Sequence, residues 1–254
     1  FPGAVWSLSI GWGCEAILKA ADLAPVRSAL ARALANGTTA FDASGDTGGL
    51  ECKGGQDWSS PPGPDDIGLD AVAAVPEMTA VGGTTLSTDA QGHWLAEQAW
   101  TDGPLQQGSS GGVSRLFDRP AYQNKLAVER DWSHRLVPDV AAVADPFTGV
   151  RIVYEGQSRV GGGTSQSAPI WAAFTAVMNQ YLVAHGGRRL GDLNPLLYRV
   201  AARSDTTGFR DISLGSNAVD QSEPGYDMVT GLGSPNIANL ARALLAAQTG
   251  ADRR

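Results

Sequence analysis

Residues 161–183 read GGGTSQSAPIWAAFTAVMNQYLV: three glycines, a Thr-Ser pair and a proline run directly into a long, mostly apolar stretch. Glycine reaches backbone angles closed to other residues, and proline suits the first turn of a helix. The pattern therefore predicts a sharp turn that launches a buried helix over residues 168–185, with Ser165 at the turn and Ser167 in the first helical turn. A hydroxyl there lies beside unpaired backbone amides and the positive end of the helix dipole, where a developing oxyanion is stabilised. Ser165 is thus a candidate nucleophile; a serine that only caps the helix is the alternative reading of the same residues.

On either side of this helix, short apolar runs alternate with helical patterns. AVWSLSI (4–10) and TTAFDAS (38–44) read as strands flanking APVRSALARALANG (24–37), whose Val26, Ala29, Leu30, Ala33 and Leu34 repeat at helical spacing and stop at Asn36-Gly37. EMTAVGGTTL (77–86) and PDVAAVAD (138–145) read as further strands, GVRIVYEG (149–156) as an edge hairpin arm and PNIANLARALLAA (235–247) as a closing helix. This alternation predicts an α/β fold: a mostly parallel β-sheet with helices on both faces, which gathers its ligands at the carboxyl ends of the strands.

With 254 residues and 43% hydrophobic positions, the chain is long enough to bury one large core, and no composition shift marks a second domain. The formal charge of −7 argues against a surface that tracks phosphates, so nucleic acid is not an expected partner. No run of about 18 apolar residues suits a bilayer, so no membrane is expected either. The opening FPGAVWSLSIGWG lacks a signal peptide's basic and apolar regions and reads like the middle of a domain, which predicts a fragment or a processed product. Cys14 and Cys52 each follow a strand-like stretch. Bonded, they would close a loop worth roughly 4 kcal/mol and imply an oxidising compartment; two unrelated buried thiols are the other reading.

A serine nucleophile needs a base, and none of the three histidines is well placed. His93 lies in the turn DAQGHW, His134 in the charged ERDWSHRL, and His185 near the far end of the helix that Ser165 begins, about 30 Å away at helical rise. A carboxylate base remains, and it would confine activity to acidic pH. Asp46, in ASGDTGG (43–49) just past a strand, reads either as an Asx-turn residue or as an acid at the active face, whose neutral form can donate to an oxyanion.

GGTSQSAP with ASGDTG upstream resembles the sedolisin family of serine-carboxyl peptidases. The likeness continues through SLSIGW, MTAVGGTTL, SSGGVSRLF, RPAYQ, VPDVAAVADPFTG and DISLG…PGYDMVTGLGSP, in the family's order and over nearly the whole chain. It implies a subtilisin-like fold and a peptidase that forms an acyl-enzyme on Ser165, with Asp46 as the oxyanion-hole acid and Ser167 structural. Ser9, Ile10, Gly11 and Trp12 match the strand that pairs with an extended peptide substrate. The family's glutamate base and its orienting aspartate lie on a helix ahead of SLSIGW, where this sequence has only FPGAVW. The expectation is an N-terminally truncated catalytic domain over residues 1–254, its N-terminal part missing, with the Glu/Asp pair on the removed segment or on another chain. A pseudopeptidase or peptide-binding module of the same fold is the alternative. A histidine-dependent relative is disfavoured, since no His-Gly-Thr motif accompanies the serine.

DISLGSNAVDQSEPGYDMVTGLGSP (211–235) sets two aspartates about a Gly/Pro turn. Spacing alone suits a solvated acidic loop. The resemblance implies one Ca²⁺ in the region 209–235, held by the Asp211 and Asp227 side chains and the carbonyls of Ile212, Glu223 and Gly225. It also implies maturation from a propeptide, and the acidic chain with its two cysteines predicts secretion.

Overall fold

The computed structural model describes residues 2–53, 58, 60–126, 132–203 and 207–249. Strand β1 (Val5–Leu8) leads to helix α1 (Ala24–Ala35) and strand β2 (Thr39–Ala43); β3 (Thr79–Thr88) then turns back into β4 (Trp94–Ala99). Two short strands follow, β5 (Thr101–Asp102) and β6 (Gln107–Gly108), then the antiparallel pair β7 (Gly112–Asp118) and β8 (His134–Val137). After β9 (Val140–Val143), a hairpin of β10 (Arg151–Tyr154) and β11 (Gln157–Val160) feeds α2 (Thr164–Ala184). The chain ends through α3 (Asn194–Ala201), the short β12 (Phe209–Arg210) and β13 (Ser234–Pro235), and α4 (Ile237–Thr249).

β1, β2 and β3 run parallel in that order, β9 joins β3 in parallel, and β4 pairs antiparallel with the end of β3. Alternation along the strands divides the core into two layers. Phe41, Ala43 and Val81 pack with Trp171, Met178 and Leu182 of α2, Leu197 of α3 and Leu240 and Leu244 of α4. Ala40 and Ala80 face the other way, onto Leu30 of α1, Leu23, Leu69 and Met78. Each fully buried Leu or Met contributes about 1.5–3 kcal/mol, so the sheet is held from both sides, as the sequence predicts. Gly82 and Gly83 interrupt β3 for a steric reason: a Cβ at Gly83 would lie 2.6 Å from the Ala144 Cβ and 2.9 Å from the Trp100 ring.

α1 follows its pattern closely, with Asn36 as C-cap and Gly37 at φ +79° behind it. α2 departs from the expectation by starting at Thr164, so Ser165 lies inside the first helical turn and Pro169 inside the helix. Cys14 and Cys52 are disulfide-bonded, with Cα atoms 4.7 Å apart, tying the loop after β1 to the loop after β2. Among the described residues no helix is long and apolar enough to cross a membrane.

Candidate active site

At the carboxyl ends of the parallel strands, the turn before α2 meets the loop after β2. Gly163 caps α2 at φ +83°, in the left-handed region that favours glycine. A Cβ there would also come within 2.6 Å of Asp46 Oδ2, so glycine lets the carboxyl lie directly against the turn. The Gly163 amide donates to the Ala144 carbonyl at 2.6 Å, fastening the turn to the end of β9.

The structure brings Ser165 and Asp46 together through the residue between them and the turn. Asp46 Oδ1 accepts from the Thr164 amide and from the Thr164 hydroxyl, each at 2.7 Å. Thr164 Oγ1 accepts in turn from the Gly45 amide at 3.1 Å. Ser165 itself is exposed, whereas Ser167 is fully buried and donates to the Ala142 carbonyl at 2.9 Å. The two serines therefore separate into a surface hydroxyl and a core hydroxyl.

Pro169 has a structural consequence at this point. It stands four residues after Ser165 and has no N–H to give the Ser165 carbonyl; the Ser9 hydroxyl donates there instead, at 2.9 Å. Ser9 thereby ties the segment that follows β1 to the first turn of α2. Ile10, Gly11 and Trp12 continue this segment along the surface, with Ile10 and Trp12 about half exposed. Carboxylates hold its backbone from below: Asp70 Oδ2 accepts from the Trp12 and Gly13 amides at 2.7 and 2.8 Å, and Asp42 Oδ1 from the Ile10 amide at 3.5 Å. Asp42 Oδ2 and the neighbouring Ser44 hydroxyl are buried without a partner among the described residues. Burial pushes the Asp42 carboxyl up to about 7; the Ile10 amide opposes this and the Asp70 charge adds to it.

Each histidine keeps to its own neighbourhood. His93 pairs with Asp89 at 2.9 Å, His134 sits at the start of β8 against the Ser133 hydroxyl, and His185 caps the far end of α2 against the Tyr181 carbonyl. No described carboxylate is hydrogen-bonded to the Ser165 side chain, so the described residues supply a hydroxyl and an acid but no base in contact with them.

In the C-terminal loop, Asp211 Oδ2 accepts from the Gly225 amide at 2.9 Å and Asp227 Oδ2 from the Glu223 amide at 3.4 Å. Both carboxylates thus border one turn, next to buried Ile212. Asp227 also takes the Val229 and Thr230 amides on Oδ1 at 2.8 and 2.7 Å, and burial pushes its carboxyl up to about 6. Among the described residues no three His, Cys, Asp or Glu side chains are grouped to hold a metal ion, so a cation here would need main-chain oxygens.

Sequence reasoning passed over Thr164 and Asp42. Thr164 sits inside the motif that singled out Ser165, but only its contact with Asp46 reveals what it does. Asp42 is signalled by a carboxylate in an otherwise apolar strand, TAFDA.

No family model matches the chain. It is 39% identical over 250 residues to kumamolisin of Bacillus sp. (strain MN-32), an alignment that covers 94% of this chain and 42% of kumamolisin. It is 32% identical over 253 residues to tripeptidyl-peptidase 1 of Homo sapiens, covering 91% and 41%. Among solved structures, Pseudomonas sedolisin, a serine-carboxyl proteinase complexed with pseudo-iodotyrostatin, matches with a TM-score of 0.79 and 29% identity, over 94% of this chain and 64% of that one. The chain spans about two fifths of the length of the curated relatives it matches. Relatives of this similarity, the shared fold, and the meeting of the serine turn with the Asp46 loop agree: the chain belongs to the sedolisin family of serine-carboxyl peptidases.

Proposed function

We propose that the protein to which this chain belongs hydrolyses peptide bonds at acidic pH through an acyl-enzyme on Ser165. The observation that carries this reading is the Asp46 carboxyl, held against Gly163 and the Thr164 amide, directly before the exposed Ser165. An extended peptide or protein substrate lies along Ser9, Ile10, Gly11 and Trp12, whose surface course beside Ser165 supports the assignment. The Ser165 oxygen attacks the scissile carbonyl carbon and its proton passes to a carboxylate base. The carbonyl π pair moves onto oxygen, and that oxyanion accepts from protonated Asp46. Collapse expels the amine, which takes the proton back from the base, and water then releases the acyl group by the same steps. We assign the base and its orienting partner to the Glu/Asp helix that precedes the SLSIGW strand in this family, on the same protein or on a separate N-terminal chain.

The donor set at 211–227 suits a hard cation: two carboxylates beside a turn rich in carbonyls. We assign one Ca²⁺ to Asp211, Asp227 and the carbonyls of Ile212, Glu223 and Gly225, where it would brace the loop. The disulfide supports an oxidising, extracellular location, and maturation from a propeptide fits the same setting.

Turnover of a fluorogenic peptide by the full-length protein tests the reading. Activity should peak at roughly pH 3 to 5, because one carboxyl must be ionised and another protonated. Ser165→Ala should lose roughly 10⁴-fold or more of kcat. Hydrolysis that persists in that variant would put the nucleophile elsewhere, and an inactive wild type would favour a peptide-binding module.

A further inference from the structure

Asp46 has two oxygens in unlike surroundings. Oδ1 receives two donors from one residue, the Thr164 amide and the Thr164 hydroxyl, each at 2.7 Å. The hydroxyl has a single proton to give, and its acceptor side is taken by the Gly45 amide at 3.1 Å, so that proton is directed at Asp46. Oδ2 lies over Gly163, close enough that a Cβ there would stand 2.6 Å away. A protonated carboxyl has one carbonyl oxygen, which accepts, and one hydroxyl oxygen, which also donates. The oxygen that already accepts two hydrogen bonds is the one that takes the carbonyl role.

We propose that Thr164 is a positioning residue for Asp46: by filling Oδ1 with two donors it fixes the acid proton on Oδ2, the oxygen that faces the turn carrying Ser165. This rests on reading Ser165 as the nucleophile and Asp46 as the acid that meets the oxyanion. Without the Thr164 hydroxyl, Oδ1 keeps only the amide donor, and the carboxyl can turn or carry its proton on the wrong oxygen. The hydrogen bond from Oδ2 is made only once the carbonyl oxygen gains charge, so its loss falls on kcat and leaves KM alone. Thr164 is fully buried, which keeps water from replacing its hydroxyl.

Valine, serine and alanine at position 164 separate the hydroxyl from the methyl. Thr164→Val keeps the shape and loses the hydroxyl; Thr164→Ser keeps the hydroxyl and loses the methyl; Thr164→Ala loses both. In the full-length protein, assayed with a fluorogenic peptide near pH 4, the hydroxyl should decide. Thr164→Ser should hold kcat within about threefold of wild type, while Thr164→Val and Thr164→Ala lose roughly 10- to 100-fold with little change in KM. A residue that only packs gives the opposite order, with valine active and serine impaired, and that order overturns the proposal. Should the valine variant not fold, the serine and alanine variants differ by the hydroxyl alone, and equal kcat in those two overturns it as well. Ser165→Ala in the same assay keeps the two readings apart: an inactive Ser165→Ala beside a fully active Thr164→Val sinks only the role of Thr164, whereas an active Ser165→Ala sinks the nucleophile itself.

Discussion

The two edges of the parallel sheet treat buried carboxylates in opposite ways. At the amino-terminal edge, Asp139 just ahead of β9 accepts from both terminal nitrogens of Arg135 at 3.0 and 2.7 Å, from the Ala80 amide at 2.8 Å and from the Tyr198 hydroxyl at 2.8 Å. Arg135 adds bonds to the Tyr122 hydroxyl and the Met78 carbonyl, and neither member of the pair reaches solvent. At the carboxyl-terminal edge, Asp46 has one saturated oxygen and one turned toward the serine turn, Asp42 keeps an oxygen without a partner among the described residues, and Ser165 stands exposed. A network of paired buried charges fixes one arrangement and is costly to break, even though Arg135 Nε has no partner among the described residues. Open polar groups at strand ends stabilise less and are available for chemistry.

Substitution at the two edges should therefore separate stability from turnover. Arg135→Met leaves Asp139 charged and buried, a loss of about 3–5 kcal/mol, which corresponds to a melting temperature lower by roughly 10 °C in a domain of this size. Ser165→Ala removes an exposed hydroxyl and should shift melting by no more than about 2 °C. Calorimetry on both variants checks the pair, and equal shifts would erase the distinction between the edges. The C-terminal loop is next in size. If Asp211 and Asp227 hold Ca²⁺, excess EGTA at pH 7 removes about 2.7 kcal/mol of stabilisation for an ion present at a hundred times its dissociation constant. An unchanged melting curve would remove the ion from the account.

A pH dependence of comparable size sharpens the carboxyl-terminal edge itself. The Asp42 carboxyl ordinarily titrates near 3.8, and burial raises it to about 7 in the folded chain. Below pH about 4 both folded and unfolded chains hold this proton; between about 4 and 7 only the folded chain does. The stability it contributes is thus complete below pH 4 and lost as pH climbs through 7. Melting of the wild type should fall by roughly 10 °C over that window, and Asp42→Asn should flatten the slope. The same slope in both proteins would show that Asp42 has no such burden.

Much of the carboxyl-terminal edge was legible because its signals are local. Three glycines before Thr164-Ser165 announce the turn, and the apolar run behind them announces α2. α2 starts at Thr164, four residues before the start that Pro169, read as a first-turn residue, predicts. Ser9, distant in sequence, supplies the hydrogen bond that lets proline sit deeper. Thr164 and Asp46 lie 118 residues apart, and nothing in either segment alone names the other as partner. The amino-terminal edge was least legible: Arg135 and Asp139 are four apart without being on a helix, and Tyr122, Asn194 and Tyr198 reach them only through the fold. Helix α3, eight residues with a proline in its first turn, was too short to stand out by periodicity.

The most direct test of the central claim is where an acyl group lands. The full-length protein, mixed with an activated peptide ester at acidic pH and quenched with acid during turnover, should carry the acyl group on the fragment that contains Ser165 when digested and mapped by mass spectrometry. The Ser165→Ala protein should carry none. An acyl group on another residue, or equal labelling of the two proteins, would contradict the account.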